Sequence, residues 1–192
     1  MSELDLGLSI ALGIGLAAAT GLRLFLPMLV VSAASYGGYL PLSDNFAWLA
    51  TPAALILLGV AALVEILAYY IPGLDNLLDT LATPAAFVAG TIVSAAVITD
   101  LPPMVKWAAA IIAGGGIAGL TQSLTTVVRE KSTMMTGALG NPAVATAELG
   151  GSLIVSMLAL VAPLLTALVI VVLLWFAIRW VRRISRREPN QT

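Results

Sequence analysis

Apolar residues run through this chain in long blocks, separated by short polar or proline-marked breaks. Leu6 to Leu22 is one run and Leu24 to Ala34 the next, with Arg23 alone between them. A helix needs about 20 apolar residues to cross a bilayer, with ~17–25 tolerated. On that scale the pattern predicts six spans, at 6–35, 52–71, 84–99, 104–128, 142–162 and 164–181. They form a single transmembrane domain over 1–181, followed by a basic tail at 182–192. Thr51-Pro52, Thr83-Pro84 and Asn141-Pro142 read as helix starts. Proline suits the first helical position, and Thr or Asn ahead of it can cap the orphan N–H groups. Asp100 before Pro102-Pro103 marks another break, and Ala162-Pro163 a tight hairpin. Span 84–99 is short for a hydrocarbon core and needs tilt, thinning or a neighbour to bury its ends.

Composition agrees with the pattern. Of 192 residues 60% are hydrophobic and 10% charged, against about 25% charged in a soluble domain. The expected fold is therefore all-α, a polytopic transmembrane helical bundle. The first apolar run follows Glu3 and Asp5 with no basic n-region, so no cleavable signal is expected. With no cysteine and no histidine, thiolate and imidazole metal sites and thiol nucleophiles are excluded, and neither metal nor cofactor is expected. Arg179, Arg182, Arg183, Arg186 and Arg187 place the C-terminus in the cytoplasm by the positive-inside bias. Six spans put the N-terminus on the same side, together with Arg129 and Lys131. Lys106 is left near an outer end, Phe46 and Trp48 suit the outer interface, and Trp175 and Trp180 the inner one.

Charges inside spans are rare, cost at least ~2.5–3.5 kcal/mol at the centre, and face the bundle interior. Arg23, Glu65 and Glu148 are the three here. Glu65 lies six residues before Ile71 and Glu148 six after Pro142, which puts both about 9 Å from the cytoplasmic ends at ~1.5 Å per residue. Arg23 would reach them from nearer the middle. An ion pair that only fixes helix docking is one reading. The other takes the surplus carboxylate as the carrier of a proton or cation, or Arg23 as the holder of an anionic group. Arg129, Glu130 and Lys131 are expected to be exposed at the interface.

Asp75 and Asp79 share one face of a short amphipathic or re-entrant helix before Pro84, either a solvated face or an acidic vestibule. Gln122, with Ser123, Thr125 and Thr126, offers neutral hydrogen bonds at the end of span four. The segment 132–141, with Gly137, Gly140 and Asn141 ahead of Pro142, is a candidate re-entrant or gating stretch. The triplet around Gly115 is a candidate helix break that could line a cavity. Ladders of small residues at Ala86, Gly90, Ser94 and at Gly115, Gly119, Ser123 allow close helix approach. "LATPAAFVAG" (81–90) and "LGNPAVATAE" (139–148) share a pattern offset by 58 positions, with Ser94 and Ser152 at matching places in units that would run parallel.

The ordered motifs "GLRLFLP" (21–27), "FAWLATP" (46–52), Glu65 with "IPGLD" (71–75), "TP" (83–84) and "GNP" (140–142) with Glu148 resemble the bacterial membrane-protein family known as domain of unknown function 4126. The resemblance covers about residues 8–180 and implies a helical membrane protein of the bacterial cytoplasmic membrane, without an assigned activity. In the family pattern an acid often follows the position of Glu148, where this chain has Leu149. A charged pair often stands where it has Tyr69-Tyr70.

Three functions follow from the residues. The first is a channel or secondary transporter for a small ion or solute. Its pathway would use Arg23, Glu65, Asp75, Asp79, Gln122, Asn141 and Glu148. Six short spans make a thin wall, so a homo-oligomer is expected. The second is binding or translocation of anionic-lipid head groups, with Arg23 as the phosphate anchor. The third is a non-transporting scaffold. An enzyme is not expected: there is no HExxH helix and no histidine for a serine-type site. The expected partner is the lipid bilayer, with anionic lipids among its components, and not nucleic acid.

Overall fold

The structure is a computed structural model. It describes residues 3–71, 74–99, 101–137 and 139–185, with side chains from Asp5 onward except those of 74–77, 79, 80 and 180–185. Among the described residues all regular structure is helical. In chain order the helices are α1 (Glu3–Thr20), α2 (Phe25–Tyr36), a 3-10 helix (Asp44–Ala50), α3 (Pro52–Ala68), α4 (Leu74–Val97), α5 (Pro103–Ala109), a π-helical stretch (Ala110–Gly115), α6 (Gly116–Thr136), α7 (Asn141–Val161) and α8 (Pro163–Ser185). Two helices are long and apolar enough to cross a membrane, the continuous rod Pro103–Thr136 and α7. A third qualifies if the 3-10 helix and α3, bent by 72°, count as one broken span. Much of the outer surface is aliphatic, for instance Ile56, Val60, Val64 and Leu67 on α3 and Leu165, Leu168 and Leu173 on α8, which is compatible with membrane insertion.

The first predicted span is not one helix. The chain stops at Thr20, turns through 21–24 and starts again at Phe25. It then returns to the end where α1 began, because Leu40 and Pro41 line one recess with Asp5, Leu8 and Leu12. Gly21 permits the turn. A Cβ there would lie 2.6 Å from Thr121 Cβ and 3.1 Å from Gln122 N, so only glycine lets the turn lie against α6. Residues 6–35 are thus two legs of a hairpin and not one helix.

Three other boundaries change. Leu74–Val97 is one helix with Pro84 inside it, so Thr83-Pro84 is no helix start and the supposedly short span 84–99 is a 24-residue helix. The backbone of Asp75 and Asp79 belongs to its first turns, while their side chains lie outside the described residues. The glycine triplet does not break its span. It continues from a π-helical stretch into α6, with Gly114 and Gly115 buried against α4. A Cβ on Gly114 would sit 2.7 Å from the Gly90 carbonyl oxygen, so the glycines buy close approach and not a gap. The segment 132–141 is the end of one helix and a short corner before the next. α6 runs to Thr136, closes on Gly137 in the left-handed region (φ 61°) and passes into α7 at Asn141.

The centre of the bundle is α1, whose residues 15–20 are all buried. Ser94 Oγ on α4 donates to the Gly13 carbonyl and Ser152 Oγ on α7 to the Ala19 carbonyl, each at 3.0 Å. The two serines matched in the sequence therefore clamp the same helix from two neighbours. At the end where α1 begins, the Ser43 N–H donates to the Ala96 carbonyl at 2.9 Å. Lys106, expected near an outer end, is buried there and donates from Nζ to Ser43 Oγ at 2.7 Å. Phe46 is buried beside Trp107, their ring centroids 6.2 Å apart, while Trp48 remains exposed.

Gly114→Val should lower stability by about 1–3 kcal/mol, the usual cost of overpacking. Gly150→Ala, with open space around its Cβ position, should raise stability by about 0.5–1 kcal/mol through helix propensity. Reversible unfolding of both variants in mixed micelles measures the difference.

Candidate functional site

Arg23 lies in the turn between α1 and α2, 1% exposed, with nothing but protein around it. A guanidinium cannot lose its proton to escape such surroundings, so acceptors must come to it. Its Nη2 donates to the Ala145 carbonyl on α7 at 2.7 Å and lies 3.5 Å from Glu148 Oε2. Glu148 is buried on the same face of α7, three residues after Ala145.

Glu65 reaches the same turn but a different partner. Its two carboxylate oxygens accept from the backbone N–H groups of Leu24 (2.7 Å) and Phe25 (3.1 Å). These are orphan donors at the start of α2, which has no side-chain cap of its own. A carboxylate from α3 thus caps α2, where the helix dipole favours negative charge.

The residue that sequence reasoning misplaced is Arg129. It is 2% exposed, not at the interface, and its Nη2 donates to Glu148 Oε2, the oxygen already facing Arg23. Tyr69 completes the group. Its ring centroid is 4.2 Å from Arg23 Cζ and 4.4 Å from Arg129 Cζ, within cation–π range of both. Tyr69 thus presents an aromatic face to two cations. The expected surplus of acid is replaced by two arginines against two glutamates, one of which is occupied by backbone. Arg129 stands beside Glu130 and Lys131 in a polar stretch, and only the helical register of α6 against α7 turns it inward.

Gln122, Asn141, Gly140 and Pro142 lie outside this contact. Gln122 is buried, but its amide is directed to Thr126 on its own helix, at 3.5 Å. Asn141 does not cap α7; it lies inside the helix start and exchanges hydrogen bonds of 3.0 and 3.2 Å with Thr133. Gly140 N–H donates to Thr136 Oγ1 at 2.9 Å, and the Pro142 carbonyl accepts from Thr146 at 2.8 Å. Together they make a tight α6–α7 corner near the cluster, not part of it. No group of three or more acidic side chains that could hold a metal ion occurs among the described residues.

Cavities flank the turn on two sides. One, of about 230 Å³, is lined by Leu22, Thr125, Val128, Val144, Ala147 and Glu148. The other, of about 380 Å³, opens between α3 and α4 and includes Leu24, Phe25, Glu65 and Tyr69 in its wall.

Removing one member of a buried ion pair leaves the other charge uncompensated, at a cost of about 3–5 kcal/mol. Arg129→Leu should lose that much stability. Combined with Glu148→Leu it should lose at least ~1 kcal/mol less than the sum of the single losses, because contacting residues couple. A double-mutant cycle in mixed micelles checks this.

No curated protein and no solved structure matches the chain. Its residues 10–183 match the family model described as a domain of unknown function, DUF4126, and the chain belongs to that family.

Proposed function

We propose that this is a multi-pass protein of the bacterial cytoplasmic membrane that moves a small ion or solute across it, as a channel or secondary transporter. The observation behind this reading is the cluster itself: Arg23, Arg129, Glu65, Glu148 and Tyr69, all buried in a bundle with an aliphatic outer surface. Ionisable side chains inside such a bundle commonly mark a transport pathway. At the opposite end of α1 a recess of about 560 Å³ is lined in part by Asp5, Ser9 and Thr99. Between recess and cluster α1 is buried from Leu16 to Ala19, which suits a carrier with one end open at a time. The reversal at 21–24 and the π-helical stretch are irregular elements of the kind found at functional sites in helices. The bundle is small, and a homo-oligomer would complete its wall. The role is non-enzymatic.

A second reading, handling of anionic lipid, is favoured by one feature. The 380 Å³ cleft has an aliphatic wall of Leu57, Val60, Leu81 and Ala85 leading to Glu65 and Tyr69, a shape suited to an acyl chain.

Flux from proteoliposomes loaded with potassium chloride, acetate or phosphate tests the first reading. Wild-type vesicles should release at least one of these faster than empty vesicles. Arg23→Gln protein that still elutes as a folded species should release it at least tenfold more slowly, and Lys131→Gln at the wild-type rate. Wild-type vesicles as tight as empty ones for all three salts would move the scaffold reading to first place.

A further inference from the structure

We propose that the Arg23–Arg129 pair is a binding site for an oxyanion of the carboxylate or phosphate class, occupied from within by Glu148 as a displaceable internal ligand. This deepens the transport reading by giving its ligand a sign and a chemical class, and rests on that reading for the site's role but not for its existence.

The charge arrangement points to an anion. Both guanidiniums converge on a single oxygen, Glu148 Oε2, while both oxygens of Glu65 are taken by backbone N–H groups. A cation approaching Glu148 would meet two permanent positive charges before reaching the carboxylate. An anion would meet them as partners.

The hydrogen bonding points the same way. A carboxylate matched to arginine binds through both oxygens in a fork. Here Glu148 Oε1 is buried with no hydrogen-bond partner, and so are Nε and Nη1 of Arg23, whose side chain is wholly buried. Groups left unfilled in a low-dielectric interior are costly. An incoming oxyanion that is free to place both carboxylate oxygens, or the several oxygens of a phosphate, on the arginines could fill donors that Glu148 leaves open.

There is also room for exchange. The 230 Å³ cavity is bounded by Glu148 itself and by Leu22, the residue before Arg23. That is several times the ~30 Å³ a water occupies in the liquid. It opens onto the Glu148 side chain and leaves that side chain space to change rotamer. The Tyr69 ring, against both guanidiniums, holds the pair in position while the carboxylate is exchanged.

Thermal melting of the purified protein in a neutral detergent tests this, with sodium chloride, acetate and phosphate at equal ionic strength. The wild type should melt higher in acetate or phosphate than in chloride. Glu148→Gln should melt lower than wild type in chloride, yet bind acetate or phosphate at least tenfold more tightly, because the internal competitor has lost its charge. Arg23→Gln should lose the response. A Glu148→Gln protein that melts identically in all three salts and with phosphatidylglycerol overturns the proposal, as does a stabilisation that follows the cation when sodium is replaced by potassium. Line broadening of the phosphate ³¹P or acetate ¹H resonance by wild-type protein provides a test independent of the variants' folding, and lines unchanged for both, in a protein that phosphatidylglycerol also leaves unstabilised, overturn the proposal. Added phosphatidylglycerol, with phosphatidylcholine as control, separates the sources. If only the former stabilises Glu148→Gln, the anion is a lipid phosphodiester; if free phosphate suffices, it is a soluble one. Anion binding without vesicle flux would leave this site standing and overturn the transport reading alone.

Discussion

A permanent positive charge placed at a chain reversal inside an aliphatic bundle is the constraint around which this protein is arranged. Arg23 can be neither deprotonated nor left in hydrocarbon unpaired. Its acceptors come from α7, through the Ala145 carbonyl and Glu148, and its aromatic cover from Tyr69 at the end of α3. Glu65 adds a bond of a different kind, holding the first N–H groups of α2 so that the helix can restart beside the charge. One turn of four residues thereby fixes α1 and α2 against α3 and α7, and Arg129 brings in α6 through the shared Glu148 oxygen.

The rest of the bundle is held by weaker means that work by repetition. Polar side-chain bonds between helices in a bilayer are worth on average about 0.6 kcal/mol each. The serines that donate to the α1 backbone, Ser94 and Ser152, are therefore modest individually. Their greater effect is geometric, because small side chains let α4 and α7 come close enough to α1 for backbone carbonyls to be reached at all. The glycines of α4 and of the π-helical stretch extend the same close packing to the Pro103–Thr136 rod. The buried polar atoms left unfilled include three on Arg23 and Glu148, with others on Thr121 and Ser156.

The sequence by itself determined the all-helical class, because its long continuous apolar runs suit helices, which satisfy their own backbone, and lack the alternation of barrel strands. It also placed α7 within a residue of its limits and marked Arg23 and Glu148 as partners, since their cost in hydrocarbon makes a mutual approach close to obligatory. The equivalence of Ser94 and Ser152 was visible as a repeat. Tertiary structure alone decided three things. An arginine in an apolar run can sit in a helix or in a turn, and contact with α6 at Gly21 selected the turn. A proline can start a helix or stand within one, and continuation of α4 from Leu74 through Pro84 selected the second. Arg129 looked like its exposed neighbours because local sequence carries no record of which face of α6 meets α7; that register is set by packing between residues distant in the chain. The same long-range register turned an expected excess of acid into a pair of arginines sharing one oxygen.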